Sequence, residues 1–370
     1  MILFLFYLVS LPLAFRTISI SLASNLLDFS YYLKAGSDIL HGINPYTNLL
    51  YPPASLFLFI PLAQIPFPVA KIIWTTLSLL AFYLGLYLFV GELGLTKYFP
   101  FKISRPNIAL VLFLLFLQTF PVKFTLAQGQ INFFVFLGFS LFYFFLIHHH
   151  DLLAGLTVGL ITILKFNPVF YLLYFLILKK TKSIYVFLLV FIVLNLLIDL
   201  IYPHNLNISF VQNIQFMSAN YSGYYFNQSL AALFSRYLST AVFAHLVTNT
   251  FSLLLWATTL SQLYFFKKHS LNFFLLFIVT ILLTSPLTWQ HHLIWTIPVF
   301  IYLFVEFIKN RNQVLLTLSA IAFLLINLNL KDPQSLNPQN LLYSHATFGL
   351  LLLYGLILSM SLIYPPFEES

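Results

Sequence analysis

The sequence predicts an all-α polytopic membrane protein, a bundle of about twelve transmembrane helices with ten to thirteen allowed. Three observations predict it. Of 370 residues, 61% are hydrophobic and 7% charged, against roughly 25% charged in a soluble domain. Mean hydropathy is +0.94, so lipid must solvate most of the surface. Lysine and arginine also sit asymmetrically between the apolar runs.

Apolar runs between polar breaks fall at 2–22, 68–91, 107–121, 131–147, 152–165, 167–178, 183–201, 241–266, 270–287, 293–308, 313–330 and 341–363. The first has no basic residue ahead of it, and Ala23-Ser24-Asn25 makes a poor cleavage site, so it is expected to stay as an uncleaved first helix. Asn167-Pro168 splits 152–165 from 167–178, which fits a broken or tilted pair as well as two clean spans.

Orientation follows from the basic residues. Lys97, Lys102, Arg105, Lys179, Lys180, Lys182, Lys267, Lys268, Lys309 and Arg311 crowd into short alternate loops. Lys34, Lys123, Arg236 and Lys331 are spread over the longer loops opposite. Both termini are therefore expected in the cytoplasm, in a multi-pass protein of the plasma membrane. Two long segments, about 23–67 and about 202–240, with shorter ones near 122–130, 284–292 and 331–340, then face outward. No soluble domain or internal repeat is visible, and 1–370 reads as one transmembrane domain.

Cysteine is absent, which excludes disulfides and thiol nucleophiles. The net charge of +8 arises from loop lysines and arginines. It does not indicate a nucleic-acid partner.

Only nine acids exist. Glu92, Asp151 and Glu306 fall at inner helix ends, Glu368 and Glu369 in the tail, and Asp199 and Asp332 at the borders of outer loops. Asp28 and Asp38 follow the outer end of the first helix. Beside aromatic rings at a membrane boundary, the carboxylate of Asp28 can serve as a general base. By spacing alone a solvated loop acid or a helix N-cap is the commoner origin of such a residue.

Gly42-Ile-Asn44-Pro45-Tyr46 and Tyr51-Pro52-Pro53 carry turn chemistry suited to a compact re-entrant or interfacial loop. Gln128-Gly129-Gln130-Ile-Asn132 offers amides to sugar hydroxyls or to a helix end. Lys165, ending an apolar helix, is an ionisable group at membrane depth and suits a phosphate or a snorkelling role. Arg236, seven residues past Ser229 in Asn227-Gln228-Ser229, can fork onto a phosphate or anchor a helix base. Ser285-Pro286-Leu-Thr288-Trp289-Gln290-His291-His292 brings two histidines beside a tryptophan. Adjacent helical residues point about 100° apart, so the pair is not expected to chelate one metal ion. His148-His149-His150 reads as a solvated inner turn.

In order, Asp28, Gly42-Ile-Asn44-Pro45-Tyr46, Tyr51-Pro52-Pro53, Trp74, Gly129-Gln130-Ile-Asn132, Ala154-Gly155, Lys165-Phe-Asn-Pro168, Asn227-Gln228-Ser229, Arg236 and Ser285-Pro286 through His292 resemble the pattern of glycosyltransferase family 87 over about 28–300. Phe166 and Asn167 separate Lys165 from Pro168, where that pattern often has a basic residue directly before proline.

The resemblance implies a GT-C-like fold with Asp28 as catalytic base and no cofactor or obligatory metal. It implies an inverting transfer of a hexose, mannose first, from a polyprenyl-phosphate donor to a glycolipid or glycan acceptor on the outer face. Lys165, Arg236, His291 and His292 would face the donor phosphate. Gln130, Asn132, Tyr46, Asn227 and Trp289 would contact sugar or acceptor. The rival class is a transporter or flippase of lipid-linked sugars. It expects ionisable groups near the midplane within repeats, and only the Asn167-Pro168 break favours it. A non-catalytic scaffold would not require polar residues on one side.

Overall fold

The computed structural model describes residues 2–47, 49–98, 103–202, 205–266, 271–330 and 339–363. Lys102, Lys267, Lys268, Lys331, Asp332, Glu368 and Glu369 lie outside the described residues. In chain order the helices are α1 (Ile2–Ala23), α2 (Leu27–Leu40), α3 (Leu56–Ala63), α4 (Phe67–Glu92), α5 (Arg105–Phe116), α6 (Phe120–Gln128), α7 (Asn132–Ile147), α8 (Asp151–Leu164) and α9 (Tyr171–Ile177). They continue with α10 (Thr181–Ile201), α11 (Leu206–Tyr221), α12 (Leu230–Tyr237), α13 (Ala241–Phe266), α14 (Leu271–Thr284), α15 (Ile297–Asn310), α16 (Gln313–Asn327) and α17 (His345–Ile363).

Every apolar run of the sequence falls on a helix, but length separates them. Among the described residues, six helical segments are long and apolar enough to cross a membrane, or seven if α5 and α6, bent by 82°, form one span. The bend has a local cause. Pro121 sits in the first turn of α6, where its missing N–H costs nothing, so a new helix starts there. Helices α7, α8, α14 and α16 have 14 to 16 residues, which at about 1.5 Å per residue falls short of a hydrocarbon layer of about 30 Å. The chain is thus a helical membrane protein with fewer full-length crossings than its apolar runs suggest. Asn167-Pro168 does break the chain: Lys165 is extended (φ −157°, ψ 125°), and a short 3₁₀ turn over Asn167–Phe170 leads into α9.

Two compact units divide the chain. The first comprises Met1–Val169 and Lys182–Phe216, the second Phe170–Thr181 and Met217–Ser370. In the first, α4 packs on α5 and α7, α7 on α8, and α2 on α3. Gly155 permits the close approach of α10 to α8, since a Cβ there would lie 2.3 Å from the Ser183 carbonyl oxygen. The segment 23–67 is not open loop: it folds into α2 and α3 around a cluster of Phe29, Tyr32, Tyr51, Phe59 and Trp74. Polar groups from α10 and α11 hold its irregular part. The Asn195 side-chain oxygen accepts from the Ala54 amide at 3.0 Å, Asn44 donates to Ser209 Oγ at 2.9 Å, and Asn213 donates to the Leu49 carbonyl at 2.6 Å.

In the second unit α14 is buried along nearly its whole length, as expected of a helix apolar on every face. It packs against α13 and α17, and α16 pairs with α17. Thr259 and Thr280 share a hydroxyl hydrogen bond of 2.9 Å across α13 and α14.

Candidate active site

In the first unit the chain leaves α1 and turns through Leu26, a non-glycine residue at φ 42°, before entering α2. This turn puts Asp28 in the first turn of α2, half-buried, with Tyr32 one helical turn further on the same face. The opposing wall is the turn between α6 and α7. Gly129 ends α6 at φ 68°, and a Cβ there would lie 2.7 Å from the Phe29 Cβ, so conformation and proximity both require glycine. Trp74 Nε1 donates to the Gly129 carbonyl at 2.7 Å while its ring stacks on Phe29 at 4.9 Å.

The turn delivers Gln130 to Asp28. Gln130 Nε2 donates to the Asp28 carboxylate. Its Oε1 accepts from the Tyr51 hydroxyl at 3.0 Å, and the Tyr51 and Tyr32 hydroxyls are 2.6 Å apart. Two residues beyond Gln130, Asn132 Oδ1 accepts from Lys165 Nζ at 2.9 Å. That ammonium also lies 5.6 Å from the centre of the Tyr51 ring. Burial pushes the Asp28 carboxyl above the usual carboxylate range, and the Gln130 hydrogen bond and Lys165 charge pull it partly back. Burial also raises both tyrosines, keeping them protonated donors at neutral pH. Tyr46 donates to the Tyr51 carbonyl at 2.9 Å, so it secures the strand of chain that carries Tyr51.

Of the other acids, Asp199 caps α11, accepting from the Leu206 amide at 2.7 Å and Asn207 Nδ2 at 2.9 Å. Glu306 pairs with Lys309 at 2.7 Å and Glu92 with His148 at 3.5 Å. Asp28 alone among these four faces a cluster of buried amides, tyrosines and a lysine. No three His, Asp or Glu side chains converge for a metal ion among the described residues.

In the second unit Arg236 is buried on α12, with all five N–H donors committed to protein oxygens. Nε donates to Gly223 O at 3.3 Å. One terminal nitrogen donates to Tyr343 O at 3.2 Å and Ser344 Oγ at 2.7 Å, and the other to Tyr224 O at 2.6 Å and to Asn227 O. Burial lowers its pKa to about 10, which leaves it charged at neutral pH. Asn227 is committed likewise: Nδ2 donates to Pro286 O at 2.9 Å, and Oδ1 accepts from the Thr288 amide at 2.9 Å. Gln228 ties the same turn to the start of α17 through Tyr343 O at 3.0 Å and the Ala346 amide at 3.1 Å. Ser229 caps α12 by accepting from the Ala232 amide at 3.1 Å. Asn227-Gln228-Ser229 and Arg236 thus form a structural knot, and in this arrangement the arginine has no donor left for a phosphate.

Trp289 pairs by backbone with Asn227. His291 and His292 lie in a 3₁₀ segment over Gln290–Thr296, both buried, their rings 4.7 Å apart, with His292 stacked on Trp295 at 5.3 Å. His345, which sequence reasoning passed over, bonds through Nδ1 to Leu325 O at 2.6 Å and through Nε2 to Tyr225 and Gln290 at 3.2 and 3.3 Å. The carbonyl fixes the proton on Nδ1, so Nε2 accepts. Tyr32 was also passed over, although its spacing of four from Asp28 places both on one helical face.

In the first unit of this helical membrane protein a half-buried carboxylate thus meets buried amides, tyrosines and a lysine. The sequence profile described as glycosyltransferase family 87 matches residues 49–287, well over half the chain, and the protein belongs to that family. It is a glycosyltransferase. The match includes Gln130, Asn132, Lys165, Asn227 and Arg236, and leaves Asp28, Tyr46, Trp289, His291 and His292 outside. No curated protein matches the chain.

Proposed function

We propose that this glycosyltransferase moves a hexose, mannose first, from a polyprenyl-phosphate donor to a glycolipid or glycan acceptor at the outer face of the plasma membrane. The observation that carries the reading is the half-buried Asp28 carboxylate, aimed by Gln130 and facing the Lys165 charge. Asp28 takes the proton of the acceptor hydroxyl as its oxygen bonds to the anomeric carbon. The bond from that carbon to the phosphate oxygen breaks on the opposite side, inverting the centre, and polyprenyl phosphate leaves with the electron pair. Lys165 stabilises the negative charge developing on the leaving phosphate. Asn132, which holds the Lys165 ammonium at 2.9 Å, positions that charge.

A GT-C-like arrangement suits this chemistry, with the shorter apolar helices α7, α8, α9, α14 and α16 counted as partial crossings toward a total of about twelve. The outward direction of the site rests on the loop bias of lysine and arginine. The assignments of His291, His292 and Trp289 to the donor and acceptor rest on the sequence resemblance alone and are no part of the mechanism above. Arg236 and Asn227 serve the fold of the second unit.

The test is transfer by purified protein in vesicles supplied with radiolabelled polyprenyl-phosphate mannose, polyprenyl-phosphate glucose or a nucleotide-linked mannose, and a panel of lipid acceptors. Label is expected to pass to an acceptor from a lipid-linked donor only. Transfer from the nucleotide sugar in the absence of any lipid donor contradicts the reading.

A further inference from the structure

We infer that Gln130, Tyr51 and Tyr32 form a one-directional hydrogen-bond relay that positions the Asp28 carboxylate, making Gln130 a positioning residue for the base. The inference rests on the reading of Asp28 as base.

The direction of the relay follows from counting hydrogens. Tyr51 has one hydroxyl hydrogen and donates it to Gln130 Oε1 at 3.0 Å. Its oxygen must then accept at the 2.6 Å contact with Tyr32, which makes Tyr32 the donor there. With Oε1 occupied by a donor, the Gln130 amide can present only its NH₂ group to Asp28. A flipped amide would set oxygen against the carboxylate and lose that hydrogen bond. Each link therefore points a hydrogen toward Asp28 and favours its ionised form, which a general base needs.

The scaffold holds the relay at both ends. Trp74 fixes the Gly129 carbonyl at 2.7 Å, and the Gln130 amide closes the end of α6 onto Thr125 O at 2.9 Å. Gln130, Tyr51 and Tyr32 are all buried, at 5%, 5% and 4% exposure, so water does not replace a missing link at little cost. Tyr32 stacks on Phe59 at 4.7 Å, which holds its ring in place. Geometry thus sets which way Gln130 points from two residues away, through two hydroxyls donating in series.

Two readouts test the relay. The first is the pH profile of kcat with polyprenyl-phosphate mannose for the wild type, Tyr51→Phe, Tyr32→Phe and Gln130→Leu. Losing the hydrogen bond to the charged carboxylate is expected to lower kcat at neutral pH about 10- to 100-fold in Gln130→Leu, less in Tyr51→Phe and least in Tyr32→Phe. Donor KM stays within about twofold by the same reasoning. The acidic limb moves to higher pH, because the hydrogen bond that lowers the Asp28 pKa is lost. A merely structural loss would reduce amplitude without moving the limb.

The second readout needs no substrate. Infrared difference titration of protein labelled with ¹³C-aspartate, with the Asp28 band identified by its absence in Asp28→Asn, follows the carboxyl directly. Its midpoint is expected to rise in Tyr51→Phe and Gln130→Leu. An unmoved midpoint in both overturns the relay, whatever the assay shows. If the wild type transfers nothing from the lipid-linked donor, or Asp28→Asn retains transfer, the donor or base reading fails while the infrared midpoints still decide the relay.

Discussion

Replacing Arg236 with methionine keeps much of the side-chain volume and removes five hydrogen bonds at once. Its acceptors are the carbonyls of Gly223, Tyr224, Asn227 and Tyr343 and the Ser344 hydroxyl. The residue is 6% exposed, so several of these oxygens lose their partner without gaining water. An orphaned buried polar group costs about 1 to 3 kcal/mol. The Tyr343 carbonyl keeps its bond from Gln228, and part of the set relaxes, so a total of about 3 to 5 kcal/mol is expected. At roughly 2 to 4 °C per kcal/mol, that lowers Tm by about 10 °C.

Arg236→Lys should recover only part of the loss, because a lysine ammonium offers three donors in place of a planar fork of five. Thermal unfolding in detergent, followed by tryptophan fluorescence, measures both variants. An unchanged Tm combined with a large rise in donor KM would refute the structural role and return Arg236 to the phosphate.

Gly129→Ala is expected to destabilise the protein by about 1 to 3 kcal/mol, since φ is 68° and the new Cβ would meet Phe29 at 2.7 Å; denaturant titration checks it. Lys165→Met should raise donor KM and lower kcat together by about tenfold or more, and unchanged kinetics would count against a phosphate role. Transfer should fail as pH falls, at a pH above the ordinary carboxylate range, because burial raises the pKa of Asp28 and only its ionised form accepts a proton. The same sign governs stability. A raised folded-state pKa means the contribution is fully present below the unfolded value and lost as pH rises through the folded one. Asp28→Asn should therefore be at least as stable as the wild type at pH 7, which a pH series of unfolding midpoints measures.

Periodicity-free apolar runs were enough to locate the spanning helices, because hydrocarbon burial needs only length and composition. They were not enough to count full crossings, since α5 and α6 bend by 82° at Pro121 and α7 and α8 stop at 16 and 14 residues. The folding of 23–67 into α2 and α3 around Trp74 was hidden by the polar residues of α2 and the prolines from Pro45 onward, which read as loop. Asp28, Gln130 and Lys165 were each singled out in the sequence, and the structure brings them into one unit. For Arg236 the sequence left a phosphate fork and a helix anchor both open, and the partners of Asn227 and Arg236 were not legible. Most of those partners are backbone groups, such as the Tyr343 carbonyl more than a hundred residues from Arg236, and backbone groups leave no mark in the amino-acid sequence. Tyr51 looked like one residue of a proline turn, although its hydroxyl donates to Gln130 Oε1 at 3.0 Å.

The most direct measurement compares single-turnover sugar transfer and donor binding in wild type and Asp28→Asn, both reconstituted and folded, with polyprenyl-phosphate mannose. The expected result is donor binding within about twofold and a transfer rate reduced about 10²- to 10⁴-fold, the range for loss of a general base. Transfer at the wild-type rate by Asp28→Asn would contradict the mechanism.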